Sequence, residues 1–251
     1  MKKMETTIKR DGLNLHGLLE GTEKVENDTI AILMHGFKGD LGYDDSKILY
    51  ALSHYLNDQG LPTIRFDFDG CGKSDGKFED MTVYSEILDG IKILDYVRNT
   101  VKAKHIYLVG HSQGGVVASM LAGYYRDVIE KLALLAPAAT LKSDALDGVC
   151  QGSTYDPMHI PETVNVGGFE VGGAYFRTAQ LLPIYQTAEH YNREVLLIHG
   201  LADKVVSPNA SRKFHTLLPK SELHLIPDEG HMFNGKNRPE VLKLVSEFLI
   251  K

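Results

Sequence analysis

The stretch Leu108-Val109-Gly110-His111-Ser112-Gln113-Gly114-Gly115 constrains this chain more than any other. The apolar run Ile106 to Val109 leads into it, and a helical pattern follows to about Tyr125. Glycines bracket one serine between a strand and a helix, so the chain must reverse within a few residues. At Gly110 and Gly114 a Cβ would clash with the crowded backbone, and the turn pushes the Ser112 hydroxyl out above the end of the strand. The helix that follows aims its free N–H groups and positive dipole end at the same point. A Gly-x-Ser-x-Gly turn in this setting is a nucleophile elbow.

Apolar runs and helical patterns alternate along the rest of the chain. Residues 5–9 and 13–20 read as a hairpin around Asp11-Gly12, at the edge of a sheet. Ile30 to Met34, Pro62 to Phe68, Lys131 to Ala136, Glu194 to His199 and Leu223 to Ile226 read as further strands. Helical spacing marks Ile48 to Leu56, the stripe Tyr84, Ile87, Leu88, Ile91 and Leu94, residues 207–217, and Val241 to Leu249. This rhythm predicts an α/β fold: a mostly parallel central sheet flanked by helices. In such sheets function gathers at the carboxyl ends of the strands. His35, Ser112, Asp203 and His231 each follow a predicted strand and should share one rim.

One interval breaks the rhythm. Between Ala139 and Glu194 lie 54 residues, where a strand–helix–strand unit takes about 30 or more. The stretch 141–176 holds six glycines and two prolines, with Tyr155, Phe169, Tyr175 and Phe176. It reads as a small inserted cap, with a hairpin of Val164 to Val166 and Phe169 to Val171 about Gly167-Gly168. The expected division is a core of 1–139 and 190–251 and a cap of 140–189.

Composition excludes several functions. A net charge of −6 without a basic run argues against nucleic-acid binding. Met1-Lys2-Lys3-Met4 starts like a signal n-region, but Glu5-Thr6-Thr7 stands where an apolar stretch belongs, and no apolar run is long enough to span a membrane. A cytoplasmic protein is expected, with Cys71 and Cys150 as free thiols. No His, Asp or Cys cluster has metal-ligand spacing, and the loop Asp67 to Gly76 lacks the P-loop pattern, so neither metal nor other cofactor is expected. Two-fold homodimers are the commonest assembly among oligomers, which makes a homodimer the default expectation.

A serine hydroxyl is a poor nucleophile near pH 7 and needs a base, and the base needs an orienting acid. Of eleven histidines, His16, His54, His105, His159, His190, His215 and His224 fall in edge strands, helices or the cap and read as surface or packing residues. His35 precedes the loop expected to line the oxyanion site and would orient it. His111 should turn away from Ser112 into the core, and His199 should pack under the acid loop. His231, in Gly230-His231-Met232-Phe233 after the last strand, remains as the base. Asp203, in Gly200-Leu201-Ala202-Asp203, is the preferred acid. Asp228 stands only three residues from His231 and suits a turn better. The chain order Ser112, Asp203, His231 fits this type of elbow. The oxyanion donors should be the backbone N–H groups of Gln113 and Phe37.

Together His35-Gly36-Phe37, Asp67 to Ser74, Gly110 to Gly114, Gly200 to Asp203 and Gly230-His231 resemble the α/β-hydrolase superfamily over essentially the whole chain. More narrowly, Lys73 to Asp80, Gly110 to Gly115, Ala136-Pro137-Ala138-Ala139 and a cap of this length resemble bacterial cinnamoyl (feruloyl) esterases. Those enzymes release hydroxycinnamic acids from plant-derived esters, and their cap supplies polar groups to the phenolic end of the substrate. The resemblance implies Asp144, Gln151 and Tyr175 for that role here. The expectation is a serine carboxylester hydrolase acting on a small aromatic ester, with no nucleic-acid or membrane partner. A short-chain acyl esterase, thioesterase or monoacylglycerol lipase of the same fold is the nearer alternative. A non-catalytic ligand-binding receptor of this fold is the farther one.

Overall fold

The computed structural model describes residues 3–21 and 28–251. Met1 and Lys2, the start of the segment weighed as a signal, lie outside the described residues.

The hairpin of β1 (Lys3–Arg10) and β2 (Leu13–Glu20) forms one edge of an eight-stranded sheet. The others are β3 (Thr29–Met34), β4 (Thr63–Phe66), β5 (His105–His111), β6 (Ile129–Leu135), and two late strands, Glu194–Gly200 and Ser221–Ile226. Spatial order runs β1-β2-β4-β3-β5-β6, then the Glu194 strand and the Ser221 strand. Only β1–β2 and β2–β4 pair antiparallel; the remaining six strands run parallel. Their carboxyl ends therefore meet on one rim.

Both faces of the central strands are covered, which is why β3, β5, β6 and the Glu194 strand carry continuous apolar runs. Along β3, Ala31 and Leu33 face one way and pack with α1 (Ile48–Asp58) and the C-terminal helix Arg238–Ile250 through Leu52, Leu56, Val241 and Val245. Ile30, Ile32 and Met34 face the other way, against α2 (Val83–Tyr96) and α3 (Gln113–Tyr124). Residues Gln113 to Gly123 are all buried, so α3 is a core helix rather than an amphipathic one.

The stripe predicted for α2 is corrected. Tyr84 and Leu88 are exposed, and the buried face runs through Val83, Glu86, Ile87, Asp89, Gly90, Ile93 and Leu94. Two carboxylic side chains hold inward positions, so apolar spacing alone set the phase of this helix wrongly.

Between β6 and the Glu194 strand, the chain forms α4 (Leu141–Leu146), β7 (Val149–Cys150), β8 (Ser153–Thr154), β9 (Thr163–Val166), β10 (Phe169–Gly172), α5 (Gly173–Ala179) and α6 (Ile184–Ala188). None of these strands joins the main sheet. β9 and β10 pair about Gly167-Gly168, and β7 and β8 form a second hairpin turned by Gln151 and Gly152, both at positive φ. In chain order the two late strands are β11 (Glu194–Gly200) and β12 (Ser221–Ile226), with α7 (Asn209–Leu217) between them and α8 (Arg238–Ile250) last.

A buried ion pair ties β2 to β4. Arg65 is fully buried and donates through Nη2 and Nε to Glu20 Oε2 at 2.6 and 3.0 Å, while Ser53 Oγ of α1 donates to the same oxygen at 2.8 Å. Burial by itself raises the Glu20 carboxyl, but the hydrogen bonds and charge of Arg65 outweigh it and leave the group below its ordinary value. Acid therefore removes this stabilisation by protonating Glu20. Arg65→Ala removes the buried cation and leaves Glu20 with the Ser53 hydroxyl and the half-exposed Lys3 Nζ at 3.1 Å; it is expected to cost about 3 kcal/mol, read as a lower urea midpoint, and a loss below about 1 kcal/mol would contradict this account of the pair.

Candidate active site

Ser112 joins β5 to α3 at φ 57° and ψ −121°, a backbone conformation that ordinary residues avoid. Close packing holds it there. A Cβ on Gly114 would lie 2.3 Å from the carbonyl oxygens of Met34 and His35, and one on Gly110 2.3 Å from the Gly114 carbonyl oxygen. A Cβ on Gly36 would lie 2.7 Å from Ser112 Cβ, so the loop after β3 passes directly over the serine. The Ser112 N–H donates to Leu135 O of β6, and its carbonyl accepts from Ala138 N, each at 2.9 Å.

His231, in the loop after β12, places Nε2 2.8 Å from Ser112 Oγ. Its Nδ1 lies 2.7 Å from Oδ2 of Asp203, in the loop after β11. Asp203 Oδ1 accepts from the N–H groups of Val205 and Val206 at 2.8 and 2.9 Å. His199 Nε2 stands 3.1 Å from Asp203 Oδ2 and His199 Nδ1 2.7 Å from Ser211 Oγ. Burial opposes the charge on Asp203, but hydrogen bonds from His199, His231 and the Val206 N–H prevail and hold the carboxyl well below the usual carboxylate range. Asp228 lies elsewhere: it is exposed, at positive φ, and pairs with Lys236 at 3.3 Å.

His111 departs from expectation. Its ring does not turn away from the site; Nε2 lies 2.9 Å from the His231 carbonyl oxygen, and the two imidazoles stand 5.1 Å apart between centroids. Burial, with the neighbouring His231, pushes His111 down to about 3, so it is neutral and donates Nε2–H to that carbonyl. The sequence carried no signal for this contact, because it depends on how the loop after β12 crosses β5.

The loop after β3 is fixed by His35. Its Nε2 accepts from Phe68 N at 3.1 Å, which leaves Nδ1–H to donate to Gly36 O at 2.9 Å. Burial lowers the affinity of this ring for a second proton. Among the described residues, neither the Phe37 nor the Gln113 backbone N–H has a hydrogen-bond acceptor. Two cavities open beside Ser112. The larger, about 690 Å³, reaches His231, Lys38, Lys47 and Lys204. The smaller, about 60 Å³, lies between Gln113, Leu141, Tyr175 and Phe176. Phe37, Asp144 and Gln151 line both.

Asp144 sits on α4, and burial raises its carboxyl. Gln151 is at the tip of the β7–β8 hairpin. Tyr175, on α5, is buried and donates its hydroxyl to Gln113 Oε1 at 2.7 Å, with its ring 5.3 Å from that of Phe37. No group of His, Cys, Asp and Glu among the described residues is placed to hold a metal ion. No helix among them is long and apolar enough to cross a membrane.

The model of the serine aminopeptidase S33 hydrolase family matches residues 26–152. The chain belongs to that family. Its fold is the α/β-hydrolase fold, and it is similar over 98% of both chains to Est1E from Butyrivibrio proteoclasticus with ferulic acid bound, at 32% identity and a TM-score of 0.92. It is 25% identical to the YfhR protein of Salmonella typhi over 92% of this chain and 75% of that protein. It is 28% identical to RP471 of Rickettsia prowazekii over 116 residues, 46% of this chain and about half (48%) of that protein's length.

The two candidate acids make separable predictions. Asp203→Asn is expected to lower ester turnover ~10⁴-fold by favouring the wrong imidazole tautomer, whereas Asp228→Asn should stay within about two-fold of wild type, as surface substitutions do. The check is kcat on a chromogenic ester; a large loss in Asp228→Asn with Asp203→Asn intact would reverse the assignment.

Proposed function

We propose that this hydrolase is a serine carboxylester hydrolase acting on hydroxycinnamate esters through an acyl-enzyme. The observation that carries the chemistry is the hydrogen-bonded line Ser112 Oγ, His231 Nε2, His231 Nδ1, Asp203 Oδ2, with steps of 2.8 and 2.7 Å. His231 takes the Ser112 proton as Oγ attacks the ester carbonyl. The Phe37 and Gln113 N–H groups, which have no other acceptor among the described residues, receive the oxyanion. His231 then protonates the leaving alcohol. In the second half, water gives its proton to His231 and attacks the acyl carbon, and the proton returns to Ser112. Asp203 stays ionised throughout and stabilises the imidazolium.

The acyl preference is supported by the lining of the smaller cavity and by the likeness to Est1E with ferulic acid bound. Phe37 and Phe176 supply apolar faces for a flat ring, and Asp144, Gln151 and Tyr175 supply polar atoms for its hydroxyl. A buried hydroxyl without a partner would be costly. In this reading residues 140–189 act as a cap over the acyl group. A second reading, a short-chain acyl esterase, is favoured by one fact: the cavity of about 60 Å³ suits a small acyl chain.

Steady-state kcat/KM on methyl ferulate and p-nitrophenyl butyrate, with Ser112→Ala as blank, tests both. Efficient ferulate cleavage supports the cinnamoyl reading; butyrate cleavage with negligible ferulate cleavage replaces it with the second. Asp144→Ala is expected to lower kcat/KM for ferulate about ten-fold more than for butyrate. Equal losses would remove Asp144 from acyl recognition.

A further inference from the structure

Glu86 has no part in the mechanism above, yet it stands next to it. It lies in the first turn of α2 and is 1% exposed. No cation pairs with it among the described residues. Its Oε2 accepts from Gln113 Nε2 at 2.9 Å, and its Oε1 is buried without a partner among the described residues. Burial, reinforced by Asp69 and Asp89, pushes its carboxyl well above the ordinary value, against the hydrogen bond from Gln113.

The other end of the Gln113 carboxamide meets Tyr175, and both residues line the smaller cavity. With Nε2 committed to Glu86, Oε1 is the atom turned toward Tyr175, and it accepts the Tyr175 hydroxyl proton at 2.7 Å. A phenol has one proton to give. Once that proton is used, the Tyr175 oxygen presents only lone pairs. If the amide were turned over, its NH₂ would donate to Tyr175 and free the hydroxyl to donate as well.

We propose that Glu86 is a positioning residue for acyl selection: it fixes the Gln113 carboxamide so that Tyr175 meets the acyl group as an acceptor only. The preferred acyl group then ends in a hydrogen-bond donor, such as a ring hydroxyl, and its methyl ether is disfavoured. This rests on the hydroxycinnamoyl reading of the cavity. The backbone of the elbow is held separately, by the bonds from Ser112 to Leu135 and Ala138, so selection and oxyanion binding are distinct properties of Gln113.

The test compares kcat/KM for methyl p-coumarate and methyl 4-methoxycinnamate, with p-nitrophenyl butyrate as a third substrate. Wild type is expected to prefer the hydroxy ester about ten-fold. Glu86→Leu should bring the ratio to about three-fold or less, and Glu86→Gln, which still offers a carbonyl oxygen to Gln113, should keep the wild-type ratio. The ratio is internal to each preparation, so a mere loss of folded enzyme does not move it. Should Glu86→Leu fail to fold, Gln113→Met keeps the main-chain N–H, removes the carboxamide and should collapse the same ratio. A Glu86→Leu or Gln113→Met enzyme with the wild-type ratio overturns the proposal, as does a wild type indifferent to the two esters. Butyrate cleavage with neither cinnamate cleaved overturns the hydroxycinnamoyl reading itself, and the proposal with it.

Discussion

Everything at this site depends on the backbone of Ser112 being held where it does not rest naturally. Its φ of 57° and ψ of −121° cost of order 1–3 kcal/mol. That conformation persists because β3, β5 and α3 are packed to the limit of their backbones around it. Gly110, Gly114 and Gly36 each sit where a Cβ would strike carbonyl oxygens or the serine itself. The same closeness brings the Phe37 loop across Ser112 and points the start of α3 at the reaction centre. The turn and the Phe37 loop that crosses it are one packing solution.

The Asp203–His231 pair is set by a different balance, between burial and hydrogen bonding. Asp203 is an ionised group in a dry place, and two backbone N–H groups and two imidazoles keep it so. His199 is anchored in turn by Ser211 of α7. His111 holds the His231 main chain from below. The neutral state of His111 follows from its burial and serves the same end, since a neutral donor steadies the loop without adding charge beside Asp203. On the far side of Gln113, Glu86 is likewise buried, without a cation among the described residues, and accepts a hydrogen bond from the Gln113 carboxamide.

Much of this was legible in the sequence because it rests on local rules. Apolar runs in β3, β5 and β11 predicted strands, and the order of strands and helices placed Ser112, Asp203 and His231 on one rim. The β9–β10 hairpin was visible in its Gly167-Gly168 turn. What was not legible depends on contacts between distant segments. The β7–β8 hairpin has two-residue strands, too short to alternate. Helix α5 begins at Gly173, within a glycine pair that reads as a loop; Gly172 and Gly173 are needed because a Cβ there would meet Glu79 O and Pro161 O at 2.2 and 2.3 Å. The face of α2 was misjudged because Glu86 and Asp89 occupy buried positions that hydrophobic spacing cannot register. His111 was sent to the core because nothing local to it foretells the loop that covers it.

Covalent trapping tests most directly whether Ser112 is the nucleophile. The full-length protein is treated with a serine-reactive fluorophosphonate, and the modified residue is located by peptide mass spectrometry. A single adduct on Ser112, lost in Ser112→Ala and much slowed in His231→Ala, is the predicted result. An unlabelled protein, or an adduct on another serine at the same rate, would contradict the central claim.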